Sequence, residues 1–208
     1  TYKLGTFAVN STVIYDFPGV TVMPIPGSLP YGNLRISTST ALSGSSITVA
    51  GQLVVDAART LSLGSVPLLL RGQGTSAILG GTGLLHASPS SVIQFSGGIA
   101  GNNGTLAFTS ATPTINTLSL RMTSATNFIT LGGDLMVSGG DFVLGGGGID
   151  LNGNDLVINA DIEFPASSAN GTFRGSQNSS IHLAPLTYLA GDDIFFEPSA
   201  NSLRSLSL

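Results

Sequence analysis

Gly83-Leu84-Leu85-His86-Ala87-Ser88-Pro89-Ser90-Ser91-Val92-Ile93-Gln94-Phe95 returns as Gly171-Thr172-Phe173-Arg174-Gly175-Ser176-Gln177-Asn178-Ser179-Ser180-Ile181-His182-Leu183, 88 residues later. Leu85 answers Phe173, Ile93 answers Ile181 and Phe95 answers Leu183. The register continues forward without a gap, from Leu106 and Phe108 to Ile194 and Phe196, and from Ile115, Leu118 and Leu120 to Leu203, Leu206 and Leu208. It also runs backward. Ile47 and Val49 answer Leu135 and Val137, Leu61 and Leu63 answer Ile149 and Leu151, and Leu68-Leu69-Leu70 answers Leu156-Val157-Ile158. Apolar positions hold the frame while the residues between them drift, as a shared core face requires. Self-similarity at a fixed long period is the mark of a repeat architecture.

An earlier copy is offset slightly. Asn33-Leu34-Arg35-Ile36 resembles Thr117-Leu118-Ser119-Leu120 at a spacing of 84, and a four-residue length change before Ile47 reconciles the two. The chain therefore reads as one continuous solenoid over residues 1–208. Its units fall at roughly 1–32 (partial), 33–116 and 117–204, with a further copy starting at 205–208.

Inside each unit the apolar residues come in short alternating pairs: Leu34/Ile36, Ile47/Val49, Leu53/Val55, Leu61/Leu63, Leu68/Leu70, Ile93/Phe95 and Leu106/Phe108. A period of two over three to five residues means strands with one buried face. Gly, Asn, Ser and Pro stand between them, as turns require. No stretch keeps the 3.6-residue period of a helix. The expected fold is all-β: a right-handed parallel β-helix (β-solenoid) with about three short strands per coil and almost no helix. Roughly 20–24 residues per coil make the 88-residue unit about four coils. The chain would then hold roughly nine coils, about 45 Å long at ~4.8 Å per coil. Right-handedness follows from the strong preference of parallel crossovers. An antiparallel sandwich is the competing architecture. It does not explain a long gap-free register, and Asn-Gly hairpin signals occur only at Asn103, Asn152 and Asn170.

Composition agrees with a stack. Charged residues make up only 9% of the chain, hydrophobic residues 42%, and there are 28 glycines. Equivalent side chains on neighbouring coils stand about 4.8 Å apart, where like charges repel and Ser, Thr and Asn form ladders instead. The net charge of −4 with no basic cluster argues against nucleic acid as a partner. No apolar run reaches the ~20 residues of a membrane span. There is no cysteine, hence no disulfide framework or thiolate metal site.

Three stretches carry a family resemblance: Tyr31-Gly32-Asn33-Leu34-Arg35-Ile36, Ile47-Thr48-Val49-Ala50-Gly51-Gln52-Leu53-Val54-Val55 and Thr60-Leu61-Ser62-Leu63-Gly64. They resemble the repeats of very large Bacteroidota surface proteins. Gly171-Thr172-Phe173-Arg174-Gly175-Ser176 and Ile194-Phe195-Phe196-Glu197 are similar to a later segment of the same repeats. The resemblance covers most of the chain from Tyr31 onward. It implies a secreted adhesin or surface filament, associated with type IX export and in some members with gliding. The C-terminal sorting domain of such proteins is not in this sequence.

Residues capable of chemistry do not follow the repeat. Gly145-Gly146-Gly147-Gly148-Ile149-Asp150-Leu151, followed by Gly153-Asn154-Asp155-Leu156, echoes a calcium nonapeptide. Asn152 stands where a large apolar residue belongs, however, and the counterparts of Asp150 and Asp155 are Ser62 and Pro67. Asp192-Asp193 could serve glycoside cleavage, but their counterparts are Gly104 and Thr105. Asp161 and Glu163 answer Gln73 and Thr75. His86 and His182, the only histidines, answer Arg174 and Gln94. Thr38-Ser39-Thr40 and Thr112-Pro113-Thr114 are isolated, whereas an ice-binding face needs Thr-x-Thr once per coil. Asn10, Asn103, Asn170 and Asn178 sit in glycosylation sequons, read as chance. The tyrosines available for a glycan platform are Tyr2, Tyr15, Tyr31 and Tyr188.

No candidate recurs in register while the core does. The expectation is therefore a non-enzymatic protein with no catalytic, cofactor-binding or metal site and no cofactor. It is a structural or adhesive component of an extracellular or bacterial cell-surface filament. Its expected partners are further repeats of the same or like chains stacked end to end, with surface glycans as a further class. The alternatives are a glycan-binding module, then a polysaccharide-active β-helix enzyme or an ice-binding protein. Because Leu208 falls inside a copy, the chain is expected to be a window of a longer repeat array.

Overall fold

The computed structural model describes residues 8, 10–16, 30–74, 76–163, 171–184 and 194–207. Every strand pair among them is parallel, and no helix occurs. The antiparallel sandwich is thereby excluded and the β-solenoid established.

Three faces wind around one apolar core. The first runs through β1 (Thr12–Tyr15), β2 (Asn33–Ile36), β5 (Leu53–Val55) and β8 (Leu79–Gly80). It continues into β11 (Gly101–Leu106), whose Gly104 lies against the backbone of Leu79, then β14 (Asn127–Leu131), β16 (Gly148–Asp150), β18 (Thr172–Gly175) and β20 (Phe196–Asn201). The second holds β3 (Thr40–Ala41), β6 (Thr60–Ser62) and β9 (Leu84–His86), and Leu85 bridges on to Phe108. The third is the longest. It passes through β4 (Ile47–Val49), β7 (Leu68–Leu70), β10 (Val92–Gly97), β13 (Thr117–Met122), β15 (Leu135–Gly146), β17 (Asp155–Glu163), β19 (Ser180–Leu183) and β21 (Ser205–Ser207), with β12 (Thr114–Ile115) joined to β15. The chain makes seven turns between the first and last strands of this path. That is fewer than the nine coils expected, and about 34 Å rather than 45 Å at ~4.8 Å per turn. The seven turns cover only the stretch from Ile47 to Ser205, 158 residues at about 23 per turn, and individual coils are uneven. Leu34 stacks on Leu53, 19 residues on, whereas Leu53 stacks on Leu79, 26 residues on.

The alternating pairs are the core. Leu34, Ile36, Leu53, Leu61, Leu63 and Leu68 are wholly buried, and Phe95, Phe142 and Phe173 fill the widest parts. Phe142 stacks on Phe173 at 6.0 Å between ring centres, and Phe173 meets Phe196 at 5.9 Å. Each rung repeats the rung above, so one buried stripe runs the length of the stack.

The 88-residue copy reappears as duplicated hydrogen bonds. Leu63 N–H donates to the His86 carbonyl as Leu151 N–H does to Arg174. Leu85 donates to Ala107 as Phe173 does to Phe195, and Asn116 to Ser91 as Arg204 does to Ser179. The turn Ser88–Ser91 is copied too: the Ser91 hydroxyl accepts from the Ser88 N–H at 2.9 Å, and that of Ser179 from Ser176 at 3.2 Å.

The copy nevertheless moves to a different face. Leu61 lies on the second face, but its counterpart Ile149 lies on the first, stacked through Ile129 in the column that leads down from Leu53 and Leu79. One repeat is therefore three and two-thirds coils, not four. On the third face Leu68, Ile93, Leu118, Phe142 and Ile162 stack in one column, whereas Leu156, the counterpart of Leu68, lies six residues before Ile162 in the same long strand, so the copy there lags by part of a coil within one sheet.

Ion pairs outside the core link coils along the axis, Arg174–Glu197 half-buried and the others more open: Arg35–Asp56 at 3.0 Å, Arg121–Glu163 at 3.2 Å, Arg174–Glu197 at 3.7 Å and Arg204–Asp155 at 2.7 Å. Asp56 accepts from the Ser37 hydroxyl at 2.8 Å and from Arg35 Nε at 3.0 Å. These two bonds, that of Ser37 first, hold its carboxyl below the ordinary carboxylate range. A depressed folded-state pKa adds stability that is complete above the unfolded value, near pH 4, and is lost as pH falls through the folded one. Asp56→Asn should therefore show a flatter loss of melting temperature between about pH 4 and pH 2 than the parent. Parallel curves in a thermal-melt series would refute this role for Asp56.

Candidate functional site

The outer surface of the third face is sunken between β7 and β17. Side chains at alternate positions point away from the core. Leu69, Gln94, Ser119, Val143 and Glu163 form one outward line down five successive coils. A second line beside it carries Arg71, Ser96 and Arg121, with Ser96 and Arg121 paired in register. Asp141 and Asp161 lie on the opposite edge, paired on neighbouring coils. The two lines and Asp141, but not Asp161, border a cleft of about 340 Å³. A second hollow of about 410 Å³ adjoins it and shares Arg71, Ser96 and Arg121.

The floor is formed by residues that face outward yet are covered. Ser119 is 5% exposed and Val143 4%. The cover over β15 is the Arg121–Glu163 pair, which reaches across that strand from β13 and β17. Arg121 Nη2 donates to both oxygens of Glu163 at 3.2 Å. Arg71 is different. Four arginines are ion-paired, and Arg59 lies close enough to Asp56 to help lower its pKa, but Arg71 has no acidic partner among the described residues. The cleft thus offers one unpaired guanidinium, one half-used guanidinium, the Gln94 amide and several hydroxyls.

The residues singled out from sequence do not converge on this cleft or on one another, apart from Asp161 and Glu163, which share β17. Asp150 accepts the Asn152 N–H at 2.9 Å, closing a turn. Its neighbour on the next coil is Arg174, so a cation there would face a guanidinium instead of a second carboxylate. Asp155 is bound to Arg204. No group of three or more His, Asp or Glu residues able to hold a metal ion occurs among the described residues. His86 Nδ1 meets the Thr109 hydroxyl at 2.9 Å and His182 Nδ1 the Ser207 hydroxyl at 2.6 Å, each on an exposed strand surface. Thr40 stacks on Leu61 and Thr114 on Met136, so neither threonine motif builds a threonine column. Tyr15 and Tyr31 are buried, and burial raises the Tyr31 hydroxyl pKa. They offer no exposed sugar platform. Asn103 is wholly buried, its amide donating to the Ile99 and Gly101 carbonyls, whereas Asn10 and Asn178 are exposed. Asp192-Asp193, Asn170, Tyr2 and Tyr188 lie outside the described residues. No described helix is long and apolar enough to cross a membrane.

The cleft was not legible from the 88-residue register, because its residues are related by the coil step. The signal was the spacing of Leu68, Ile93, Leu118 and Phe142, which stack in sequence. Their outward neighbours Leu69, Gln94, Ser119 and Val143 follow the same steps. No protein-family model, curated protein or solved structure matches the chain.

Proposed function

We propose that the chain is a non-catalytic structural and adhesive segment of an extracellular filament on a bacterial cell surface. The observation that carries this reading is the unbroken parallel stack, whose 88-residue unit reproduces its own hydrogen bonds one copy later. A unit that docks onto its copy through the same contacts can be added repeatedly, so length is set by copy number and not by a core that stops growing. Scarce charge on most faces suits close stacking, and the axial ion pairs sit at the surface where they do not interrupt the core. The resemblance to Bacteroidota surface repeats supports export, including the type IX route and the link to gliding. Further repeats of this or like chains are the partners this reading requires.

The test uses antiserum raised against the chain and the bacterium that produces it. Immunogold electron microscopy should place label outside the cell on extended rods, and protease treatment of intact cells should remove the epitope. Label confined to the cell interior and resistant to shaving would overturn the proposal.

A further inference from the structure

We infer that the cleft on the third face binds a carboxylate-bearing polysaccharide, with Arg71 and Arg121 as its recognition pair. This names the ligand class of the adhesive role above and rests on that half of the reading. The chain is acidic, with seven basic residues in 208, yet two arginines converge on one depression and share both of its hollows. Arg71 has no acidic partner among the described residues. Arg121 commits a single nitrogen to Glu163, leaving Nε and Nη1 to point elsewhere. A guanidinium matches a planar carboxylate through two parallel hydrogen bonds.

The rest of the lining selects among carboxylates. Between the arginines stands the Ser96 hydroxyl, with Gln94 and Ser119 in the adjacent line. These are donors and acceptors suited to a polyhydroxylated chain. Phe95 contributes to the cleft, but its ring is buried in the core, so the apolar lining is confined to the half-buried Leu69 and the covered Val143, with no aromatic anchor exposed. The lining runs across five coils, about 19 Å at ~4.8 Å per coil, which favours an extended ligand over a single small anion. A volume of about 340 Å³ lies within the range of ligand clefts. Asp141 occupies the far edge, so an anionic chain must lie toward the Arg71 side. Glu163 competes with the ligand for Arg121.

That competition supplies a test with opposite signs. Binding of polygalacturonate oligomers to the whole chain is measured by titration calorimetry at low salt, with neutral dextran oligomers as control. Arg71→Gln should weaken polygalacturonate binding about tenfold or more, the effect of losing a charged bidentate contact. Glu163→Gln should strengthen it several-fold by releasing Arg121. Both substitutions are at exposed positions, and circular dichroism of each variant establishes that the fold is retained. No binding by the parent chain overturns the proposal. So does binding that Arg71→Gln leaves unchanged, equal binding of dextran, or preference for an acidic peptide such as oligoglutamate. Any of these leaves surface display by immunogold intact, so failure here is distinguishable from failure of the filament reading.

Discussion

Replacing Phe173 with alanine should lower the unfolding free energy by about 3–5 kcal/mol, the range for removing a wholly buried aromatic ring. Phe173 is 1% exposed and sits between Phe142 and Phe196, at 6.0 and 5.9 Å between ring centres. Its strand is held on both sides, by Ile149 on one coil and Phe196 on the next. Those ladders fix the rung spacing, so the walls cannot close on the vacated space, and the effect belongs at the upper end of the range. The loss should also be local. Each coil of a solenoid touches only its neighbours, so stability is close to a sum of coil and interface terms. Hydrogen exchange should quicken in β16, β18 and β20 and stay unchanged in β4, β7 and β10. Urea unfolding followed by circular dichroism gives the magnitude. A loss under about 1 kcal/mol, or exchange that quickens uniformly along the chain, would contradict the stacked-rung account of the core.

Strand positions were readable because burial of one face imposes a period of two, whatever the neighbouring coil contains. Leu34/Ile36, Leu53/Val55 and Leu68/Leu70 fall in β2, β5 and β7 with their side chains inward. What lies above what was not readable in the same way. The strongest internal match spans 88 residues, and 88 residues are not a whole number of coils, so the match joins residues that do not stack on one another. Lengths hide in the same place. β15 and β17 run for twelve and nine residues, longer than the alternating apolar pairs mark, and turn a corner through a register shift between Ser138 and Asp141. Candidate chemistry suffered from this most. An acidic or histidine residue such as Asp150 or His86 does not stack on its 88-residue counterpart, so the 88-residue register says nothing about its neighbours. Arg71, Ser96 and Arg121 share a cleft only through the coil step, and nothing in their local sequence marks them.

The lagging copy makes a prediction about backbone that neither repeat nor structure makes alone. Gly64 has φ +56° and its counterpart Asn152 has φ +50°, so two copies of one turn hold the left-handed conformation with different residues. Asparagine enters that region more readily than other side chains, since its short amide can bond locally. At Asn152 the amide instead donates to the Leu131 carbonyl of the preceding coil at 3.4 Å. A Cβ on Gly64 would meet nothing within 4 Å. Gly64→Asn should therefore change stability by no more than about 0.5 kcal/mol, because any residual strain is offset by the entropy that asparagine removes from the unfolded chain. Gly81 has a similar φ, +79°, but a Cβ there would collide with the Val55 carbonyl oxygen and lie 2.8 Å from the carbonyl carbon. Relief requires β5 or the turn after β8 to move, and both are pinned by the pairing of Leu53 with Leu79. Gly81→Asn should destabilise by about 3 kcal/mol or more, the sum of a forced clash and a strained conformation. At about 2–4 °C per kcal/mol for a chain of this size, thermal melts should separate the two variants by several degrees. Equal damage from both would mean that Asn152 and Gly64 do not occupy equivalent turns. The copy would then be a likeness of sequence without a likeness of backbone at this turn.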